Sequence, residues 1–86
     1  MKVQQKDVDH ILMQSTFEDY VFFNKCLVLS CKLPNGFVII GVGCCVDPKE
    51  FNKEIGMEVA MKQIVDKIWE LLGYQLQDKM LLENLS

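Results

Sequence analysis

The chain has 86 residues, half of them hydrophobic and 24% charged, which is the composition of one folded domain with no room for a second core. Its nine basic residues are all lysine, and twelve carboxylates bring the net charge to −3. With no Arg to grip phosphate or guanine bidentately, and with an acidic balance, the chain does not read as a binder of nucleic-acid backbone.

The first residues, Met1 to Asp7, hold no apolar stretch, so no secretory signal is expected. No apolar run approaches the roughly 20 residues that span a bilayer. A short amphipathic helix is predicted over 6–15, with Val8, Ile11 and Leu12 on one side and His10 off that stripe. The middle of the chain is β: strands are predicted over 17–23, 26–33 and 37–42, the last two flanking Pro34-Asn35-Gly36. A two-residue turn at Asn35-Gly36 pairs Leu33 with Val38, Cys31 with Ile40 and Leu29 with Val42, which gives one apolar face. Cys26, Cys31, Cys44 and Cys45 lack the paired spacing of a zinc site and read as small reduced hydrophobes, neither metal ligands nor a disulfide framework.

Asp47-Pro48 is a helix start, with a side-chain acceptor for the orphan N–H groups and a φ already set. A first turn over 48–51 leads into a long helix over 53–72, ended by Gly73. Met57, Ala60, Met61, Ile64, Val65, Ile68, Leu71 and Leu72 form its core stripe. Ile55, Val59 and Trp69 fall on the opposite face among charges. They read either as the seat of a lid, formed by the N-terminal helix or the C-terminal tail, or as an oligomer interface, and the small size of the chain favours the interface. The predicted architecture is a single α+β domain over 1–86: a helical arm (1–16), a three-stranded antiparallel meander (17–46), one long helix packed on the sheet (47–73) and a tail (74–86).

No nucleophile elbow, zinc-helix motif, P-loop or dinucleotide fingerprint occurs, and one His leaves a narrow palette for acid–base work. The carboxylates Asp47, Glu50, Glu54 and Glu58 complement the helix dipole without forming a ligand set. The expectation is a protein without enzymatic activity, metal or cofactor.

Four short motifs remain: Leu33-x-Asn35-Gly36-Phe37; Cys45-Val46-Asp47-Pro48-x-x-Phe51; Glu54-Ile55-Gly56-x3-Ala60; and Lys67-Ile68-Trp69-x-Leu71-x-Gly73-Tyr74. In this order and spacing, over about residues 26–80, the chain resembles the gene-forty-nine/gene-sixty-six family of small tailed-phage and prophage proteins. The resemblance implies a small accessory protein acting in the cytoplasm of the bacterial host. By analogy with other small phage proteins it is expected to counter bacterial immunity by binding. One mechanism is sequestration of a nucleotide-derived immune signal, a cyclic nucleotide or a cyclic ADP-ribose type molecule. Trp69 and Tyr74 are the candidates to stack a base, Lys67 to meet phosphate, and Asp47 to complete the site, with an oligomer seam enclosing the ligand. The alternatives are a protein–protein inhibitor of a host effector such as a CRISPR nuclease, and a structural or interaction protein.

Overall fold

The computed structural model describes residues 1–85. Its elements are α1 (Gln5–Met13), β1 (Thr16–Phe22), β2 (Cys26–Lys32), β3 (Val38–Cys44), a short 3-10 turn (Pro48–Glu50) and α2 (Lys53–Leu85). The sheet is an antiparallel meander in the order β1-β2-β3. The α+β architecture matches the sequence expectation: a short helix, three strands and one long helix laid across the sheet.

The register of the β2–β3 hairpin differs from the expected one by a residue. Lys32 pairs with Val38, Cys31 with Ile39 and Leu29 with Gly41. The cause is Pro34. With its φ fixed at the second position of a turn, the chain bends over Leu33–Gly36, where the Gly36 N–H donates to Leu33 at 2.8 Å, and Gly36 follows with φ +94°. That is a three-residue loop, a turn followed by a left-handed residue, in place of the two-residue Asn-Gly loop. A slip of one residue moves every side chain of the strand to the other face. Val38, Ile40 and Val42 therefore point away from α2 and are exposed, while Ile39, Gly41 and Gly43 face it and are buried.

The two glycines explain how the long helix sits. A Cβ at Gly41 would collide with the backbone carbonyl of Ala60, and one at Gly43 with that of Gly56. α2 thus rests directly on the backbone of β3, running antiparallel to it. The buried core is Val8 from α1, Leu27, Leu29, Cys31, Leu33 and Ile39 from the hairpin, and Ala60, Ile64 and Ile68 from α2. These α2 residues belong to the predicted stripe, and Met57, Met61, Val65, Leu71 and Leu72 pack around them.

Three further expectations are corrected. α2 does not stop at Gly73 but continues to Leu85, so residues 74–85 are helix and not a tail. The interior glycine costs roughly 1 kcal/mol, and the run Tyr74 to Leu85, which lacks Pro and Gly and is rich in Leu and Gln, propagates through it. Trp69 is half-buried and packs against the core, whereas Ile55 and Val59 are exposed. Finally, Cys26 and Cys44 form a disulfide. The register sets them opposite one another, with Cα atoms 4.0 Å apart, a pairing that spacing along the chain does not reveal. Cys31 and Cys45 remain free thiols.

The ends of the helices follow capping chemistry. The Asp47 carboxylate accepts the Lys49 N–H at 2.9 Å, as the Asp-Pro pair predicts. Asn52 does the same for α2, accepting from Glu54 at 2.9 Å and Ile55 at 3.2 Å.

Candidate functional site

The first half of α2 lies on the sheet, but at about 1.5 Å per residue its 33 residues span some 50 Å. The second half overruns the sheet, and α1 and the N-terminal residues lie beside it. Between them lies an open groove of about 1000 Å³, at the upper end of the size range of small-molecule sites.

Its floor is apolar, formed by Val3, Ile11, Leu72, Leu76 and Leu82, and its rim is polar, with Lys2, Lys6, Lys79 and His10 beside Asp7, Gln75 and Asp78. The Asp7 carboxylate is occupied in accepting the Gln4 N–H at 2.8 Å, which fixes the first turn of α1. None of the three lysines is in an ion pair among the described residues. Three ammonium groups against two carboxylates make this a locally cationic patch on an acidic chain. An anionic molecule with an apolar body fits that arrangement, the lysines acting as point charges for phosphate or carboxylate. His10 also lines the groove, its Nε2 lying 3.1 Å from the Gln14 amide nitrogen.

The residues singled out from the sequence lie elsewhere. Lys67 and Tyr74 are seven residues apart, which puts them on one helix face. Lys67 and Trp69 are about 200° apart around the axis, so Trp69 faces away from both. Lys67 reaches Glu70 at 3.5 Å, and Tyr74 is exposed. Asp47 stands before α2 begins, about 20 Å of helix from Lys67. One protomer does not bring these four residues together. Ile55 and Val59 line a second, small hollow of about 90 Å³ with Gly43, Cys44, Cys45 and Phe51, where the Cys45 thiol donates to the Asp47 carbonyl at 3.1 Å.

The groove escaped sequence reading because it depends on the helix running past Gly73. The signal was present: Leu76, four residues after Leu72, continues its stripe once the helix is allowed to continue. No group of His, Cys, Asp and Glu that could hold a metal ion occurs among the described residues. The buried Cys31 thiol is pushed up from its ordinary value by burial, partly offset by a hydrogen bond with Ser15, which leaves it protonated and inert.

The model of the Phage protein (N4 Gp49/phage Sf6 gene 66) family matches residues 3–80. The chain belongs to this family. The match covers both walls of the groove except Lys2 and Leu82, and it includes every element of the sheet. No curated protein and no solved structure matches the chain. No helix among the described residues is long and apolar enough to cross a membrane.

Proposed function

We propose that this phage protein is a non-enzymatic accessory factor that counters bacterial immunity in the host cytoplasm by sequestering a nucleotide-derived signal. The observation that carries the reading is the groove between α1 and the distal half of α2, with Lys2, Lys6 and Lys79, in no ion pair among the described residues, above an aliphatic floor. Lysines meet the phosphates, and the Leu72–Leu76 surface covers the apolar part of the ligand. Lys67 and Tyr74 contribute to a ligand only where a second copy brings its own Trp69 to them.

Isothermal titration against cyclic dinucleotides, cyclic trinucleotides and cyclic ADP-ribose isomers tests this. Heat with one of them, lost in a Lys2→Glu, Lys6→Glu double variant, is expected, and the ligand should be recovered intact after the protein is denatured. No heat with any of them overturns sequestration, and a converted ligand overturns the non-enzymatic reading.

A second reading, inhibition of a host protein effector, is favoured by a different surface. The sheet face away from α2 exposes Tyr20, Phe22, Val38, Ile40 and Val42, with Phe23 at its corner. Aromatic and aliphatic side chains clustered in the open are typical anchors of protein interfaces. An Ile40→Glu variant that loses protection of the phage, while the double lysine variant keeps it, would select this reading over the first.

A further inference from the structure

The two edges of the sheet are finished differently. At β3, the Gln63 side chain accepts from the Val42 N–H at 2.9 Å and donates to the Val42 carbonyl at 2.8 Å. A side-chain amide thus stands where the peptide group of another strand would stand. β1 has no such cover. α2 lies over β3 and β2, and at β1 its Lys53 ammonium is 3.2 Å from Asp19. Every residue of β1 is exposed except Val21, which is half-buried. The strand has no Pro and no bulge, two of the features that commonly blunt an exposed edge, and of its two charges Asp19 is held by Lys53.

The phase of the hydrogen bonds shows which peptide groups are open. Because those of Val42 face outward, the even-numbered residues of β2 bond to β1 and the odd-numbered ones to β3. The bonds from Leu33 to Phe37 and from Cys45 to Lys25, both 2.8 Å, continue the odd ladder. In β1, Glu18, Tyr20 and Phe22 therefore bond to β2, and the N–H and C=O groups of Phe17, Asp19 and Val21 face away from the sheet. Such an edge is a template for strand addition.

Charge selects the strand that fits. β1 carries Glu18 and Asp19, and Asp19 is already held by Lys53. If two copies pair antiparallel about Asp19, two carboxylates face each other directly, which destabilises a sheet. About Tyr20 they do not: Glu18 lies opposite Phe22 of the second copy, and Asp19 opposite Val21. Among the registers that pair outward-facing residues with one another, this is the longest overlap, Glu18 to Phe22, that keeps the acids apart. It also obeys the hydrogen-bond phase, since Asp19 and Val21 exchange the bonds while Tyr20 meets Tyr20 at a non-bonded position, where side chains come closest. The Tyr20 and Phe22 rings are already 4.5 Å apart, so the aromatic row continues across the seam. We propose that β1 is the self-association edge, two copies pairing β1 to β1 antiparallel about Tyr20 to make one six-stranded sheet with a two-fold axis.

Light scattering at micromolar concentration should give twice the 9.9 kDa chain mass. Val21→Pro removes an N–H that bonds nothing within the protomer, and is expected to restore the single-chain mass with an unchanged circular dichroism spectrum. Tyr20→Cys, in a Cys45→Ser background, is expected to cross-link into a dimer under mild oxidation, whereas Phe37→Cys at the β2–β3 turn is not. A single-chain mass for the wild type overturns self-pairing and leaves the edge to a strand of another protein. A dimer that survives Val21→Pro without a Tyr20→Cys cross-link also overturns it, and a Val59→Lys variant that abolishes such a dimer would move the interface to α2. If Val21→Pro does not fold, the cross-linking pair decides alone.

Discussion

The two halves of α2 are one continuous helix under two regimes. From Lys53 to Ile68 it is seated on the sheet, with Ala60, Ile64 and Ile68 buried and its backbone pressed against Gly41 and Gly43. From Trp69 to Leu85 no apolar residue is fully buried among those described, and the neighbours are α1 and open solvent. The first half is fixed by shape, because two glycines and an alanine set its distance from the strand. The second is held by partial burial of Leu71, Leu72, Leu76 and Met80 and by helix propensity, and it is there that the groove opens. A helix held tightly at one end gives the other a defined place without enclosing it.

Substitutions should separate the halves, beginning with the largest effect. Gly43→Val drives a branched side chain into the Gly56 carbonyl and is expected to cost more than about 3 kcal/mol in urea unfolding, since neither backbone can yield cheaply. Ile64→Ala leaves a cavity under the sheet and should cost about 3 kcal/mol, whereas Leu76→Ala, half-exposed in the groove, should cost about 1 kcal/mol. An equal loss at both sites would dissolve the distinction. Gly73→Ala acts in the opposite direction. Nothing lies within 4 Å of the added Cβ, so a gain of about 1 kcal/mol is expected, with more helix by circular dichroism. Lys62→Ala breaks the exposed pair with Asp66, 3.2 Å apart, and should shift stability by no more than about 0.5 kcal/mol.

Titration gives a check on the seated half alone. The Cys31 thiol is raised in the folded protein above its ordinary value of 9.0, so the folded state holds its proton more tightly than the unfolded chain. Stability from this group is complete below pH 9.0 and declines as pH rises beyond it. A Cys31→Ala variant should lack that alkaline decline.

Much of this was legible in the chain. The alternation of β2, the Asp47-Pro48 start and the stripe from Met57 to Leu72 follow from periodicity and capping, and together they specify a helix on a meander. The register was not legible, because Pro34-Asn35-Gly36 supports two turns that differ by one residue, and the apolar character of Val38, Ile39, Ile40 and Val42 satisfies either. What decides between them is not local: only the observed register places Gly41 and Gly43 beneath Gly56 and Ala60. The Cys26–Cys44 bridge follows from the same register and was hidden with it. Among the site residues, Asp47 is the cap that the Asp-Pro pair predicts, while nearness in sequence groups Trp69 with Lys67 and Tyr74 and helix rotation separates it from both. The groove waited on Gly73, which reads locally as a stop.

The glycine seat that lets α2 lie close to β3 is smooth. At Gly41 and Gly43 no side chain stands between helix and strand to oppose sliding along their common axis. The Gln63 amide opposes it. Donating and accepting at one residue, Val42, it acts as a pawl, and a displacement of one helical turn, about 5.4 Å, would break both bonds at once. Gln63→Met, which keeps the length and loses both bonds, should therefore leave the fold intact while faster amide exchange spreads along β3 and the first turns of α2. The distal half of α2, and with it one wall of the groove, is thus held along the helix axis in part by one carboxamide that lies about 14 Å of helix before Leu72, the first α2 residue of that wall.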